Sequence, residues 1–233
     1  MLTFTPSLET TNHIIITEKL ENQREKEVAM KVLLVNGSPR VNSNTLLGLH
    51  EMQKIFDEQG IETEIFNIGN KDIRGCIACG RCGELGHCVF EDVVNEFAVK
   101  FKDADGMVVG TPVYYAAPNA TVQAFLQRLF YSSHFDKTMK VGAGFVCARR
   151  GGTTASFDVV NKFFTICGMP VATSQYWNNI HGGAPGEAAE DAEGMQTLRV
   201  LARNMSFLMK SIALGKEKFG LPEKEEHAWT NFI

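Results

Sequence analysis

Residues 31–45 read KVLLVNGSPRVNSNT, and this stretch decides the fold. The apolar run from Val32 to Val35 stops at Asn36, Gly37, Ser38 and Pro39, the pattern of a short buried strand ended by turn residues. Leu46, Leu49, Met52, Ile55 and Phe56 then recur at helical spacing, with Asn42, Ser43 and Asn44 available as caps and Gly60 as the stop. Strand, turn and helix in that order form the opening unit of an alternating α/β protein.

The same alternation continues down the chain. Ile61 to Ile68 gives a second strand, a long loop runs to Glu91, and Asp92 caps a helix with Val93, Val94, Phe97, Ala98 and Phe101 inward. Met107 to Val109 gives a third strand, and Asn119 caps a helix whose face is Val122, Phe125, Leu126, Leu129 and Phe130. Val141 to Ala148 reads as a fourth strand, and a helix through Phe157, Val160, Phe163, Phe164 and Cys167 is closed by Gly168 and Pro170. Val171 to Trp177 supplies the fifth strand, and the last helix carries Leu198, Leu201, Met205, Leu208 and Ile212. Strict alternation of this kind implies right-handed crossovers, hence a doubly wound five-stranded parallel sheet with helices on both faces.

This domain is expected over 31–215, between an N-terminal extension at 1–30 and a charged C-terminal tail at 216–233. Met30 stands directly before the first strand, so the extension is either an arm that packs on a partner subunit or a stretch upstream of the native start. A net charge of −4, with acidic and basic residues scattered, leaves no basic footprint for nucleic acid or anionic membrane. No apolar run approaches a membrane span, no secretory signal opens the chain, and six cysteines are too few for a disulfide scaffold of this length. A cytoplasmic protein is expected.

Ligands of an open α/β sheet bind at the carboxyl ends of its strands, so the loops after strands one, three and four carry the functional expectation. The first lacks both the lysine of a Walker A loop and the G-x-G-x-x-G of a dinucleotide fingerprint. It offers hydroxyls at Ser38, Ser43 and Thr45, the Arg40 guanidinium and the N–H groups of a helix start, a cradle for one phosphate monoester. Thr111, Pro112, Val113, Tyr114 and Tyr115 form a stiff wall on which a flat ring can rest. Arg149 and Arg150, followed by Gly151 and Gly152, bring positive charge after strand four.

Taken together, Gly37 to Arg40 with Ser43 to Thr45, Thr111 to Tyr115, and Arg149 to Gly152 resemble the NADPH-dependent FMN reductase and iron-sulfur flavoprotein branch of the flavodoxin-like proteins. The resemblance covers residues 31–182. It implies a flavodoxin-like fold with FMN as cofactor. Ser38, Arg40, Ser43, Asn44 and Thr45 would hold its phosphate, and Pro112, Val113, Tyr114, Tyr115, Arg149, Arg150, Gly151 and Gly152 would border the flavin ring.

Cys76, Cys79, Cys82 and Cys88 crowd the long loop at x2, x2 and x5 spacing. The bacterial ferredoxin run differs, having a three-residue last gap followed by proline. The spacing is similar to the compact motif of iron-sulfur flavoproteins, which implies a [4Fe–4S] cluster; a four-thiolate zinc site and free redox thiols stay open. Cys147 and Cys167 read as core residues, and His181 as a surface or interface residue.

No catalytic dyad is expected, because flavin carries the difficult chemistry and the protein positions it. The expected activity is FMN-dependent NAD(P)H oxidoreduction with a flavin- or quinone-type small acceptor. The alternatives are an iron-sulfur flavoprotein passing electrons between a cluster and FMN with a ferredoxin-like partner, and a non-catalytic flavin module with structural zinc. A homodimer or homotetramer is expected.

Overall fold

The protein is described by a computed structural model covering residues 30–232, so the extension at 1–30 lies outside the described residues, Met30 apart. In chain order the elements are β1 (Lys31–Asn36), α1 (Asn44–Glu58), β2 (Glu62–Asn67), α2 (Cys82–Leu85) and α3 (Val93–Asp103). They continue as β3 (Gly106–Tyr114), β4 (Ala117–Pro118), α4 (Ala120–Ser132), β5 (Val141–Ala148) and α5 (Thr153–Thr165). The chain closes with β6 (Asn179–His181), a 3-10 turn (Glu187–Glu190) and α6 (Ala192–Phe219). Among the described residues no helix is long and apolar enough to cross a membrane.

The parallel strands lie in the order β2-β1-β3-β5-β6, the flavodoxin arrangement, with its topological switch between β1 and β3. Side chains alternate across each strand. Leu33 and Val35 of β1 and Met107 and Val109 of β3 therefore meet Phe97, Phe101, Phe125, Val160 and Phe164 from α3, α4 and α5. On the other face Phe145 approaches Gly48 of α1, and Gly106 lies against Met205 and Met209 of α6. Each fully buried Phe or Leu contributes about 1.5–3 kcal/mol, so both faces bind their helices firmly.

The five-stranded parallel sheet is present as expected, with a short added strand, β4, which turns back antiparallel on the end of β3 through Val113 with Pro118 and Tyr114 with Ala117. The fifth parallel strand is not Val171–Trp177. Only Val171 bridges to Gly142, Tyr176 and Trp177 are exposed, and regular pairing resumes at β6. The cause is Asn178, which is buried and donates its side-chain amide to Gly144 O at 2.9 Å, filling a ladder position with a side chain. The last helix runs to Phe219, past the boundary drawn at 215, because Lys216 to Phe219 continue its hydrogen bonding up to Gly220.

Candidate functional site

The switch between β1 and β3 is closed by main-chain contacts that bring two of the expected loops together. Gly37 N–H donates to Gly110 O at 2.8 Å, and the Asn119 side-chain amide donates to Gly37 O at 2.7 Å. A Cβ on Gly37 would stand 2.2 Å from Val122 Cγ2 and 2.9 Å from Gly110 O, so only glycine permits this approach. From the other side the chain after β2 lies on the same turn: Ile68 and Gly69 both donate to Asn36 O, at 3.0 and 3.3 Å.

Beyond Gly37 the turn is built from small hydrogen bonds. Ser38 N–H donates to Asn36 Oδ1 at 3.1 Å, Arg40 N–H to Ser38 Oγ at 3.3 Å, and Leu46 N–H to the capping Ser43 Oγ at 3.0 Å. Ser38 and Ser43 are buried and Arg40 is exposed, and no carboxylate pairs with its guanidinium among the described residues. The first turn of α1 contains no acidic residue, so its positive end is left unneutralised by the chain. Hydroxyls, free first-turn N–H groups and one unpaired guanidinium suit a phosphate monoester.

The two other residues expected there have different work. The Asn44 side chain donates to Ala184 O at 2.9 Å and accepts from Ala188 N–H at 3.2 Å, which ties the start of α1 to the segment before α6. Thr45 is buried and its hydroxyl meets the Cys147 thiol under the sheet end. What these two present toward the turn is their backbone N–H groups. Burial pushes the Cys147 thiol up to about 11, with the Thr45 hydroxyl pulling it back slightly. Iodoacetamide at pH 8 is therefore expected to leave Cys147 unmodified in folded protein freed of iron and zinc, while the exposed Cys76 and Cys79 react, as peptide mass mapping would record.

On the second side stand β3, β4 and the turn joining them. Pro112 is buried, Val113 is half-buried, Tyr114 is 40% exposed and Tyr115 wholly exposed at the tip. Tyr115 adopts φ +60, a left-handed conformation that an aromatic residue takes only under constraint, at a cost of order 1–3 kcal/mol. The third side is the turn after β5. Gly152, at φ +88, begins α5 and packs on Val113, whose Cγ1 lies 2.9 Å from where a Cβ would be, so this turn joins the tyrosine wall. Arg149 and Arg150 are both exposed, and Gly151 has open space around it. The Arg149 stem lies along Gly183, with Cγ 3.2 Å from an ideal Cβ there. His181 is exposed and is held by its backbone N–H on Asp191 at 2.7 Å. The three loops thus adjoin at the carboxyl ends of β1, β3 and β5, with both tyrosines exposed.

A cavity of 660 Å³ lies elsewhere, between α1 and α6, touching the turn only at Asn42 and Ser43. Its charges are already matched, since Glu51 takes Arg199 at 2.7 Å and Lys54 at 3.0 Å, and that double contact holds the Glu51 carboxyl below its usual range.

The cysteine loop lies between β2 and α3. Cys76 and Cys79 are exposed, Cys82 is half-buried and Cys88 is buried, and all are free thiols. Among the described residues no three His, Cys, Asp or Glu side chains converge as a single metal ion requires. The donor set is nevertheless all thiol, the chemistry of iron-sulfur or zinc and not of magnesium or calcium. The stretch before α2 has almost no hydrogen bonding of its own, Ala78 is held at φ +53, and its N–H donates to Cys76 Sγ at 3.4 Å. A polar main-chain group aimed at sulfur and an all-thiol donor set suit a cluster.

Asn119 and Arg128 do more than the sequence reading gave them. Asn119 was visible only as a cap, which it is, on Thr121 N–H at 2.9 Å, but it also fastens the turn at Gly37. Asn119→Ala loses that cap and strands a buried carbonyl, and is expected to destabilise the protein by about 2–4 kcal/mol in urea unfolding. Arg128 lies on the apolar face of α4, only 1% exposed. A charged residue three after Phe125 and one before Leu129 was the available signal, because a buried guanidinium requires partners.

The profile of a family described as NADPH-dependent FMN reductase matches residues 30–183. The chain is 34% identical over 191 residues to an iron-sulfur flavoprotein of Methanocaldococcus jannaschii, covering 78% of this chain and 99% of that one. It is 30% identical over 194 residues to an iron-sulfur flavoprotein of Methanosarcina thermophila, covering 81% and 100%. Among solved structures, RosB with a bound 8-demethyl-8-formylriboflavin-5'-phosphate intermediate superposes with a TM-score of 0.61 at 18% identity, over 88% of this chain and 94% of that one. An archaeal flavodoxin superposes with a TM-score of 0.52 at 14% identity, over 78% and 99%. At these identities the structural likenesses establish the fold.

Proposed function

Since the chain belongs to the NADPH-dependent FMN reductase family and is thereby an FMN-binding oxidoreductase, we propose that it seats FMN in the crevice between β1 and β3 and exchanges electrons between that flavin and a [4Fe–4S] cluster on the four loop cysteines. The observation that carries the flavin half is the turn from Gly37 to Thr45, where hydroxyls, first-turn N–H groups and an unpaired Arg40 meet. In this assignment Ser38, Arg40 and Ser43 bind the phosphate through side chains, and Asn44 and Thr45 through backbone N–H groups. Val113, Tyr114 and Tyr115 support the ring, with Pro112 stiffening their strand. Gly151 and Gly152 let the backbone approach it, and Arg149 and Arg150 supply positive charge beside it. The flavin when bound supplies two-electron and one-electron chemistry, which is why the crevice needs no acid-base pair.

The cluster half is supported by four free thiols in one loop and by relatives that are themselves iron-sulfur flavoproteins. A ferredoxin-like protein is then the natural partner, in a cytoplasmic homodimer or homotetramer. A second reading, direct reduction by NAD(P)H with a flavin- or quinone-type small acceptor, is favoured by the open tyrosine side, where a nicotinamide has room to stack.

Anaerobically purified protein is expected to contain FMN with about four iron and four acid-labile sulfide per chain, and to show flavin bands over a broad iron-sulfur shoulder. Stoichiometric zinc without sulfide defeats the cluster assignment and favours a structural zinc site. Rapid bleaching by NADPH in stopped flow supports the second reading; no bleaching on a catalytic timescale leaves the protein partner as electron donor.

A further inference from the structure

Arg128 is the largest fully buried side chain of the described protein, and the cofactor crevice does not use it. Its guanidinium sits where α4 meets the end of the cysteine loop. Nε–H donates to Cys88 Sγ at 3.2 Å, Nη1–H to Asp92 Oδ2 at 2.6 Å, and Nη2–H to Asp92 Oδ1 at 3.0 Å and to Phe90 O at 3.1 Å. The Phe90 ring covers it, with Cζ 5.1 Å from the ring centroid. Asp92 also caps α3 through Val94 N–H at 3.0 Å, so the carboxylate that orients Arg128 is itself fixed by a helix. Cys88 is held by its backbone as well: its N–H donates to Asn95 Oδ1 at 3.1 Å and its carbonyl accepts from Asn95 Nδ2 at 2.9 Å.

Cys88 is therefore clamped to α3 and α4, while Cys76 and Cys79 are exposed in irregular chain and Cys82 is half-buried in the four-residue α2. A buried ion pair is weak ground for stability, since an apolar pair of similar size does as well or better. The bidentate pairing with Asp92 uses Nη1 and Nη2 and leaves Nε free to be aimed at sulfur. A charged N–H donor on a ligand sulfur stabilises negative charge on that sulfur, and it does so more strongly in the reduced, more negative state of the centre.

We propose that Arg128 is a positioning residue of the redox centre, fixing Cys88 as the anchored ligand of the four-thiolate set and raising the reduction potential of the centre through its Nε–H···Sγ bond. This rests on the cluster assignment above. Hydrogen-bond geometry carries the effect, because the guanidinium's charge is balanced by Asp92.

The test uses the FMN-loaded, anaerobically purified full chain. The double variant Arg128→Met with Asp92→Asn removes both charges together, leaves no unpaired buried ion and keeps a capping side chain on α3. Its cluster midpoint, from a spectroelectrochemical titration, is expected to fall by the equivalent of about a tenfold change in the oxidised-to-reduced ratio, ~59 mV for one electron. The flavin midpoint is expected to stay in place. Arg128→Lys keeps a cation but cannot serve Asp92 and Cys88 at once, and a smaller fall is expected. In the wild type, the Fe–S(Cys) stretching bands in resonance Raman are expected to shift in D₂O, and the part of that shift lost in Arg128→Lys reports the Arg128 bond if the double variant does not fold. A fully loaded double variant with an unchanged cluster midpoint, or a deuterium shift that Arg128→Lys leaves whole, overturns the proposal and leaves the cluster assignment standing. Wild-type protein with no iron or sulfide overturns both, so the two failures are told apart.

Discussion

Gly69→Ala is expected to strip the protein of FMN, with affinity falling by roughly 100-fold or more. Gly69 has no side chain in a place where none fits. A Cβ there would stand 2.2 Å from Ser38 C, 2.4 Å from Ser38 O and 2.5 Å from Gly37 O. All three are main-chain atoms, so no rotamer change relieves the overlap, and the turn itself must move. That turn is where the phosphate is assigned, and a displacement of about 1 Å is enough to lose a factor of that size. The overpacking also lowers stability by about 1–3 kcal/mol, so the variant should fold and melt earlier. Flavin fluorescence titration and a thermal melt separate the two effects. A Gly69→Ala protein that binds FMN like the wild type removes the phosphate from this turn.

The second large effect is selective between two ligands. Arg40→Met is expected to weaken FMN binding by roughly 10- to 100-fold, from the loss of one hydrogen bond between charged groups. Riboflavin has the same ring and no phosphate, and its affinity should stay within about twofold, because the effect of Arg40 lies in its pairing with phosphate. Arg40 is exposed in the free chain and its carboxylate-free surroundings do not hold it, so the substitution leaves stability nearly unchanged. Parallel titrations with FMN and riboflavin carry the test, and equal losses for both ligands would place Arg40 at the ring or in the fold.

Most of the fold was legible because its signals were local. Val32 to Val35 and Val141 to Ala148 are continuous apolar runs buried on both faces, and they became β1 and β5 almost to the residue. Every helix longer than one turn was announced by its apolar spacing, with Ser43, Asp92 and Asn119 as observed caps. The fifth strand misled because Val171 to Trp177 has strand-like composition, while what ends the pairing is the Asn178 amide reaching Gly144 across 34 residues. No pattern within a window of the chain can report such a contact.

The candidate site was legible as a set of loops and less so as a set of roles. Gly37, Ser38, Arg40 and Ser43 lie together as read. Asn44 reads as a ligand by type, yet its amide reaches Ala184 and Ala188, 140 and 144 positions away. Gly69 was passed over because a glycine at a strand end looks like ordinary turn punctuation, and only the proximity of Ser38 reveals why it is there.

The two borders of the parallel sheet are both guarded against a further strand. One border is β2, whose Glu62 and Glu64 are engaged by Lys31, at 2.8 and 3.3 Å, with Lys100 also on Glu64. The other is β6, which is three residues long. A charged rim and a stub are both poor templates for another strand, so growth of the sheet from molecule to molecule is blocked at each end. Crowded or concentrated protein should accordingly resist the fibrous route to precipitation.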